Sequence, residues 1–161
     1  MTTTGTMRAL DQTRGAVRVE DLYDTDIEDL WDACTTPERL ARWIAEVSGE
    51  LGLGCTIHAT FTSTWAGAAR IDVCDRPHHL VLTMEPGGEE ESELEVWLTE
   101  EAAGTRLVVE ERGFPLSLVT SYGAGWQAHL EDLRGSLAGE PSDWQARWSR
   151  LAPTYESMPI S

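Results

Sequence analysis

At 161 residues, with 41% apolar and 25% charged side chains, the chain has the size and composition of one ordinary globular domain. Twelve Lys plus Arg stand against 28 Asp plus Glu, a formal charge of −16, which leaves no basic footprint for nucleic acid and predicts repulsion from anionic membrane. No run approaches the roughly 18 apolar residues of a membrane span, and "MTTTGTMRALDQTRG" has neither an apolar signal core nor a basic amphipathic pattern, so a cytoplasmic address is expected.

Residues 1–14 are rich in Thr and Gly without periodicity and read as a flexible N-terminal tail. "AVRVEDLYD" then alternates Val17, Val19 and Leu22 against charged residues, a first strand. Asp24, Thr25 and Asp26 are N-cap candidates for a helix that puts Ile27, Leu30, Trp31 and Cys34 on one face. Thr36 caps a second short helix, with Pro37 at its first position and Leu40 and Trp43 turned to the core. The middle of the chain is a run of strands. "GLGCTIHATF" groups Cys55, Ile57, Ala59 and Phe61, and "TWAGAARIDVCDRP" groups Trp65, Gly67, Ala69, Ile71 and Val73. "HHLVLTMEPGG" aligns Leu80, Leu82 and Met84 before a turn, and a hairpin about Gly104 sets Leu94, Val96 and Leu98 against Leu107 and Val109. The acidic run Glu89 to Glu95 reads as a solvated hairpin tip, with a cation site or a surface for a basic partner as the alternative.

A long helix follows. Val119, Gly123, Trp126, Leu130, Leu133 and Leu137 form its apolar stripe, Gln127, Glu131, Asp132 and Arg134 its polar side, and Gly139 with Pro141 its end. Residues 140–161 form a C-terminal extension in which Trp144, Trp148 and Leu151 share helical spacing. A one-faced sheet and a one-striped helix bury those faces against each other. The predicted fold is therefore α+β: a curved antiparallel sheet gripping the long helix, with two short helices after the first strand. Gly123 and Gly125 each cost a helix interior about 1 kcal/mol. Either they permit tight packing, or the helix starts only at Trp126, or they leave space for a ligand.

"IEDLWDACTTPERLARWI", "DVCDRPHHLVLTME", "VWLTEEAAGTRLVVEERG" and "GWQAHLEDLRGSLAG" resemble, in order, the blocks of START-like (SRPBCC) helix-grip proteins. Within that superfamily they are most similar to the bacterial branch named after the activator of the heat-shock-protein-90 ATPase. The resemblance spans about Val17 to Gly139, so residues 15–139 are taken as the START-like domain. Two blocks depart from the family's pattern: Leu53 separates Gly52 and Gly54 in "LGLGC", and His78 and His79 replace a proline pair in "RPHHL". The resemblance implies a cavity between helix and sheet that holds an apolar molecule, or an enzyme evolved in that cavity.

Candidate cavity residues from the helices and their approaches are Trp43, Phe114, Tyr122 and Trp126. From the strands they are Ile57, Phe61, Trp65, Leu82, Met84, Val96 and Leu98. Glu111 shares the face of Leu107 and Val109; it is either a general acid or base of raised pKa, or a solvated strand end beside Arg112. His58, His79 and Arg70 alternate to the outer face, and His129, off the stripe, is placed on the surface. Trp97 falls among glutamates, where a second subunit or the C-terminal segment would cover it. Cys34, Cys55 and Cys74 form no CxxC pair and read as small, buried, reduced side chains. No metal site, no cofactor and no catalytic motif is predicted. The functional expectation is a small hydrophobic partner bound by a monomer or homodimer. The alternatives are an aromatase/cyclase-like enzyme acting on a polyketide or aromatic intermediate, and an acidic protein-interaction module of a chaperone partner.

Overall fold

The computed structural model describes residues 3–161. Eight strands form one antiparallel sheet: β1 (Thr4–Ala9), β2 (Arg14–Tyr23), β3 (Ala45–Ser48), β4 (Thr56–Phe61), β5 (Ala66–Asp75), β6 (His79–Met84), β7 (Ser92–Glu101) and β8 (Gly104–Pro115). Their spatial order is β1-β2-β8-β7-β6-β5-β4-β3. Helices α1 (Ile27–Thr35) and α2 (Pro37–Trp43) lie between β2 and β3, and α3 (Val119–Leu137) and α4 (Trp144–Glu156) close the chain. This is the predicted helix-grip α+β fold. None of the described helices is long and apolar enough to cross a membrane.

Helix α1 has the side-chain cap the sequence predicts, whereas Thr36 holds the N-cap position of α2 without a side-chain cap bond. The Asp26 side chain accepts from the Asp29 backbone N–H at 2.8 Å, and Ile27, Leu30 and Trp31 are buried on one face. Pro37 opens α2 at its first position, and the Trp43 indole N–H reaches back to the Ala33 carbonyl at 2.9 Å, tying the two helices together. Strand alternation holds through most of the sheet. Ile57 and Ala59, Ala69 and Ile71, Leu94 and Val96, and Leu107 and Val109 all turn to the concave side, where they are buried. α3 lies over β1 and β2 at one end of that side, and α1 and α2 close the other.

Four expectations are corrected. The tail is instead an edge strand from Thr4 on, paired with β2 in the register Met7↔Val17 (Met1 and Thr2 lie outside the described residues). β3 was not predicted; four residues directly after a helix are too short to show a period. In β2 it is Tyr23, not Leu22, that continues the face of Val17 and Val19, and its hydroxyl donates to the Leu130 carbonyl at 2.8 Å. In β5 a register shift between Ile71 and Val73 moves Cys74, not Val73, opposite Leu80.

The polar side of α3 is not a solvated face. Asp132 is buried and accepts from Ser142 Oγ (2.6 Å), the Asp143 backbone N–H (2.9 Å) and Arg147 Nε (2.9 Å), so it seats the start of α4. Glu131 pairs with Arg150, and Gln127 accepts from the Tyr155 hydroxyl at 2.7 Å. Arg134 meets the buried Asp21 of β2 at 2.7 Å.

α4 also explains the glycines. Helix α3 begins at Val119, so it does not wait for Trp126. A Cβ on Gly123 would stand 2.5 Å from Tyr155 Cδ2, and one on Gly5 of β1 would overlap the Tyr155 hydroxyl. Tyr155, fully buried, thus fills a notch cut by two glycines from opposite ends of the chain. Gly125 faces Trp144, whose indole N–H donates to the Gly125 carbonyl at 3.0 Å. Tight packing against α4, rather than space for a ligand, is the reason for Gly123.

Candidate functional site: a large apolar cavity and a small aromatic hollow

Between the concave sheet face, α1 and α2 lies a cavity of about 630 Å³. Its floor is the aliphatic rows of β4 to β8, among them Ile57, Ala69, Leu80, Leu82 and Val96. Trp31, Leu40 and Trp43 form the roof, and Trp126 of α3 the inner end. The exposed members of the lining are Pro37, Gly49, Cys74 and Arg76, and Pro37, Cys74 and Arg76 mark the mouth beside α1. There the Arg76 guanidinium reaches Glu28 (2.8 Å) and Asp32 (3.3 Å) of α1, linking the β5–β6 turn to the helix. Cys34 lines the wall, and burial pushes its thiol up to about 12, too high for a nucleophile at neutral pH.

A second hollow of about 190 Å³ lies beyond Phe61, Met84 and Trp126, which wall both spaces. Here Glu111 is buried, with Ser92 Oγ donating to one oxygen at 2.7 Å and the Trp126 indole N–H to the other at 2.8 Å. Burial pushes its carboxyl above the usual range, with Ser92 and Trp126 pulling it back and Glu85 adding to the rise. Tyr122 stacks on Phe114 at 4.3 Å, and burial, helped by the charge of Glu111, pushes its phenol upward. His129 is buried, not on the surface as expected. Burial pushes its imidazole down to about 3, against the opposing hydrogen bond to the Trp43 backbone. Its Nδ1 has no hydrogen-bond partner among the described residues.

The predicted site residues divide between these spaces. Trp43, Ile57, Leu82 and Val96 line the large cavity alone; Phe61, Met84 and Trp126 line both; Trp65, Glu111 and Tyr122 line only the hollow. Leu98 and Phe114 border neither and belong to the packed core. Sequence reasoning missed His129, although it lies three residues after Trp126, within the width of a buried helix face. It also missed Trp144 and Trp148 as walls of the hollow, since nothing local says where α4 docks. Outside the site, His58 and Arg70 face outward as expected. Trp97 lies between Arg18, 5.4 Å over its ring, and His79, stacked at 5.9 Å, while the C-terminal segment packs on α3. Of the cysteines, Cys34 and Cys55 are half-buried and Cys74 exposed; all three are free.

The family model of Activator of Hsp90 ATPase homolog 1-like protein matches residues 24–138. The chain belongs to that family. Its fold is that of START-like proteins, and solved structures of similar architecture cover almost all of this family member. The crystal structure of CalU16 from Micromonospora echinospora superposes with a TM-score of 0.71 at 26% identity, over 96% of this chain and 98% of that one. The protein encoded by BPP1335 of Bordetella parapertussis superposes at 0.69, with 26% identity over 96% and 90%. DynU16, a protein of the dynemicin biosynthetic locus, superposes at 0.71 with 26% identity, over 78% of this chain and 48% of that one. No curated protein matches the sequence.

Proposed function

We propose that this family member binds a small hydrophobic or aromatic molecule in the larger cavity. The observation that carries the reading is a hollow of about 630 Å³ walled by aliphatic and aromatic side chains, with its charged groups, Asp32 and Arg76, confined to the mouth. That volume falls in the range of roughly 300–1,000 Å³ typical of small-molecule sites. A well-packed core has few voids larger than a water molecule, so so large a space is hard to explain as packing alone. The similarity to DynU16 supports a biosynthetic setting for the occupant.

An aromatase/cyclase-like reaction has less support. The ionisable groups it would draw on, Glu111 and Tyr122, border the neighbouring hollow and not the large cavity. A pure protein-interaction role calls for a filled core, which a cavity of this size opposes.

The test is native mass spectrometry of the protein purified from its own host, set against the denatured mass. A discrete excess mass that extracts into organic solvent is expected. It should be lost in Ala69→Leu, which adds bulk to the cavity floor, while the variant stays folded by circular dichroism. An apo mass, together with no thermal stabilisation by a panel of aromatic and acyl compounds, would refute the proposal.

A further inference from the structure

The small hollow has a chemistry of its own. Aromatic rings surround it: Phe61 and Trp65 meet edge to face at 5.0 Å, Trp144 and Trp148 stack at 6.1 Å, and Trp126 and Tyr122 complete the wall. Residues with polar side chains also line it: Ser63, Ser121, Tyr122, Glu111 and His129. Glu111 is held by two neutral donors, and among the described residues no Lys or Arg lines the space. His129, 3% exposed, borders the space with its ring, while its Nδ1 is sealed off and unpaired among the described residues. Trp126 ties Glu111 and His129 together, donating to Glu111 while its ring packs 5.4 Å from that of His129.

Each feature selects the same kind of guest. Ring faces attract cations through their quadrupole. A carboxyl group without a cationic neighbour gains a partner from a positive charge. The protein's formal charge of −16 adds long-range attraction of the same sign. At about 190 Å³ the space takes a group smaller than a drug-sized ligand.

We infer that this hollow is a second binding site, specific for a small organic ammonium, which sits against the indole and phenyl rings and offsets Glu111. The site is separate from the occupant of the large cavity, with Phe61, Met84 and Trp126 as the shared partition.

The probes are 2-phenylethylamine, protonated at pH 7, and its neutral counterpart 2-phenylethanol. Binding is followed by the indole N–H resonances of the ¹⁵N-labelled protein. Trp144 and Trp148 border only the hollow, and Trp31 and Trp43 only the cavity, so the four signals report where each probe goes. The amine should bind at least tenfold more tightly than the alcohol and shift Trp144 and Trp148 while leaving Trp31 and Trp43 in place. Glu111→Gln should abolish the preference, and Trp148→Leu, at the rim, should weaken the amine several-fold if Glu111→Gln does not fold. Equal affinity for the two probes, or no binding at millimolar concentration, would overturn the inference. Shifts confined to Trp31 and Trp43 would overturn it too, and would leave the large cavity as the binding site with its own proposal intact.

Discussion

His129 offers the sharpest test of the interior's electrostatics. In the folded protein burial holds its imidazole at about 3, whereas an unfolded chain titrates near the ordinary 6.5. Between those values the unfolded state carries a proton that the folded state refuses, so stability falls as the pH is lowered from 6.5 towards 3. Each pH unit in that window is worth about 1.4 kcal/mol, so the full interval amounts to about 5 kcal/mol and the step from pH 6.5 to 4.5 to about 2–3 kcal/mol. Replacing His129 by Phe keeps a ring among Phe61, Trp126 and Trp144, which surround it at 5.5, 5.4 and 5.7 Å. It also removes both the titration and the unpaired Nδ1. Urea unfolding followed by tryptophan fluorescence at pH 7.0, 6.5, 5.5 and 4.5 would measure the difference between the two proteins, in which the remaining histidines and carboxylates cancel. The variant should retain about 2–3 kcal/mol more than the wild type across the acid limb. Parallel stability curves for the two proteins would show that the imidazole is not buried as described.

Glu111 should act in the opposite direction: its folded carboxyl holds a proton above the usual range, so stability is lost as the pH rises through that raised value, and Glu111→Gln should flatten this limb in the same urea series. Gly123→Ala should destabilise by about 1–3 kcal/mol through overlap with Tyr155, despite its gain in helix propensity. Gly125→Ala, whose Cβ would meet Trp144 at an ordinary 3.5 Å, should stabilise by about 0.5–1 kcal/mol; thermal melts of the pair should move in opposite directions. Asp132→Ala removes the acceptor of three bonds to residues 142–147 and should cost about 2–3 kcal/mol, with hydrogen exchange rising first in α4.

Where local pattern and burial coincide, the sequence was readable. The caps of α1 and α2, the paired rows Leu94–Val96 and Leu107–Val109, and the apolar stripe of α3 each express a period that one buried face imposes. The long helix and the one-faced strands then require each other, which makes the grip architecture legible without coordinates. Reading failed where burial came from elsewhere in the chain. The residues of β1 look like a tail because the edge strand is ordered by β2 and by Tyr155, the latter about 150 positions away. One extra residue in β5 exchanged Val73 for Cys74 on the cavity side.

The candidate site shows the same division. Strand alternation places Ile57, Leu82 and Val96 on the cavity wall, because a residue's face in a strand is fixed by its immediate neighbours. It cannot say that the interior is divided in two, nor that Glu111 and His129 both border the smaller part. The partition comes from Phe61, Met84 and Trp126 on three separate elements, and α4 closes the hollow with its tryptophans and covers the polar side of α3. The sequence by itself determined the elements and which of their faces are apolar, since these follow from local period and caps. Only the tertiary structure decided which polar groups are sealed away from water, since desolvation depends on whatever distant segment packs on top.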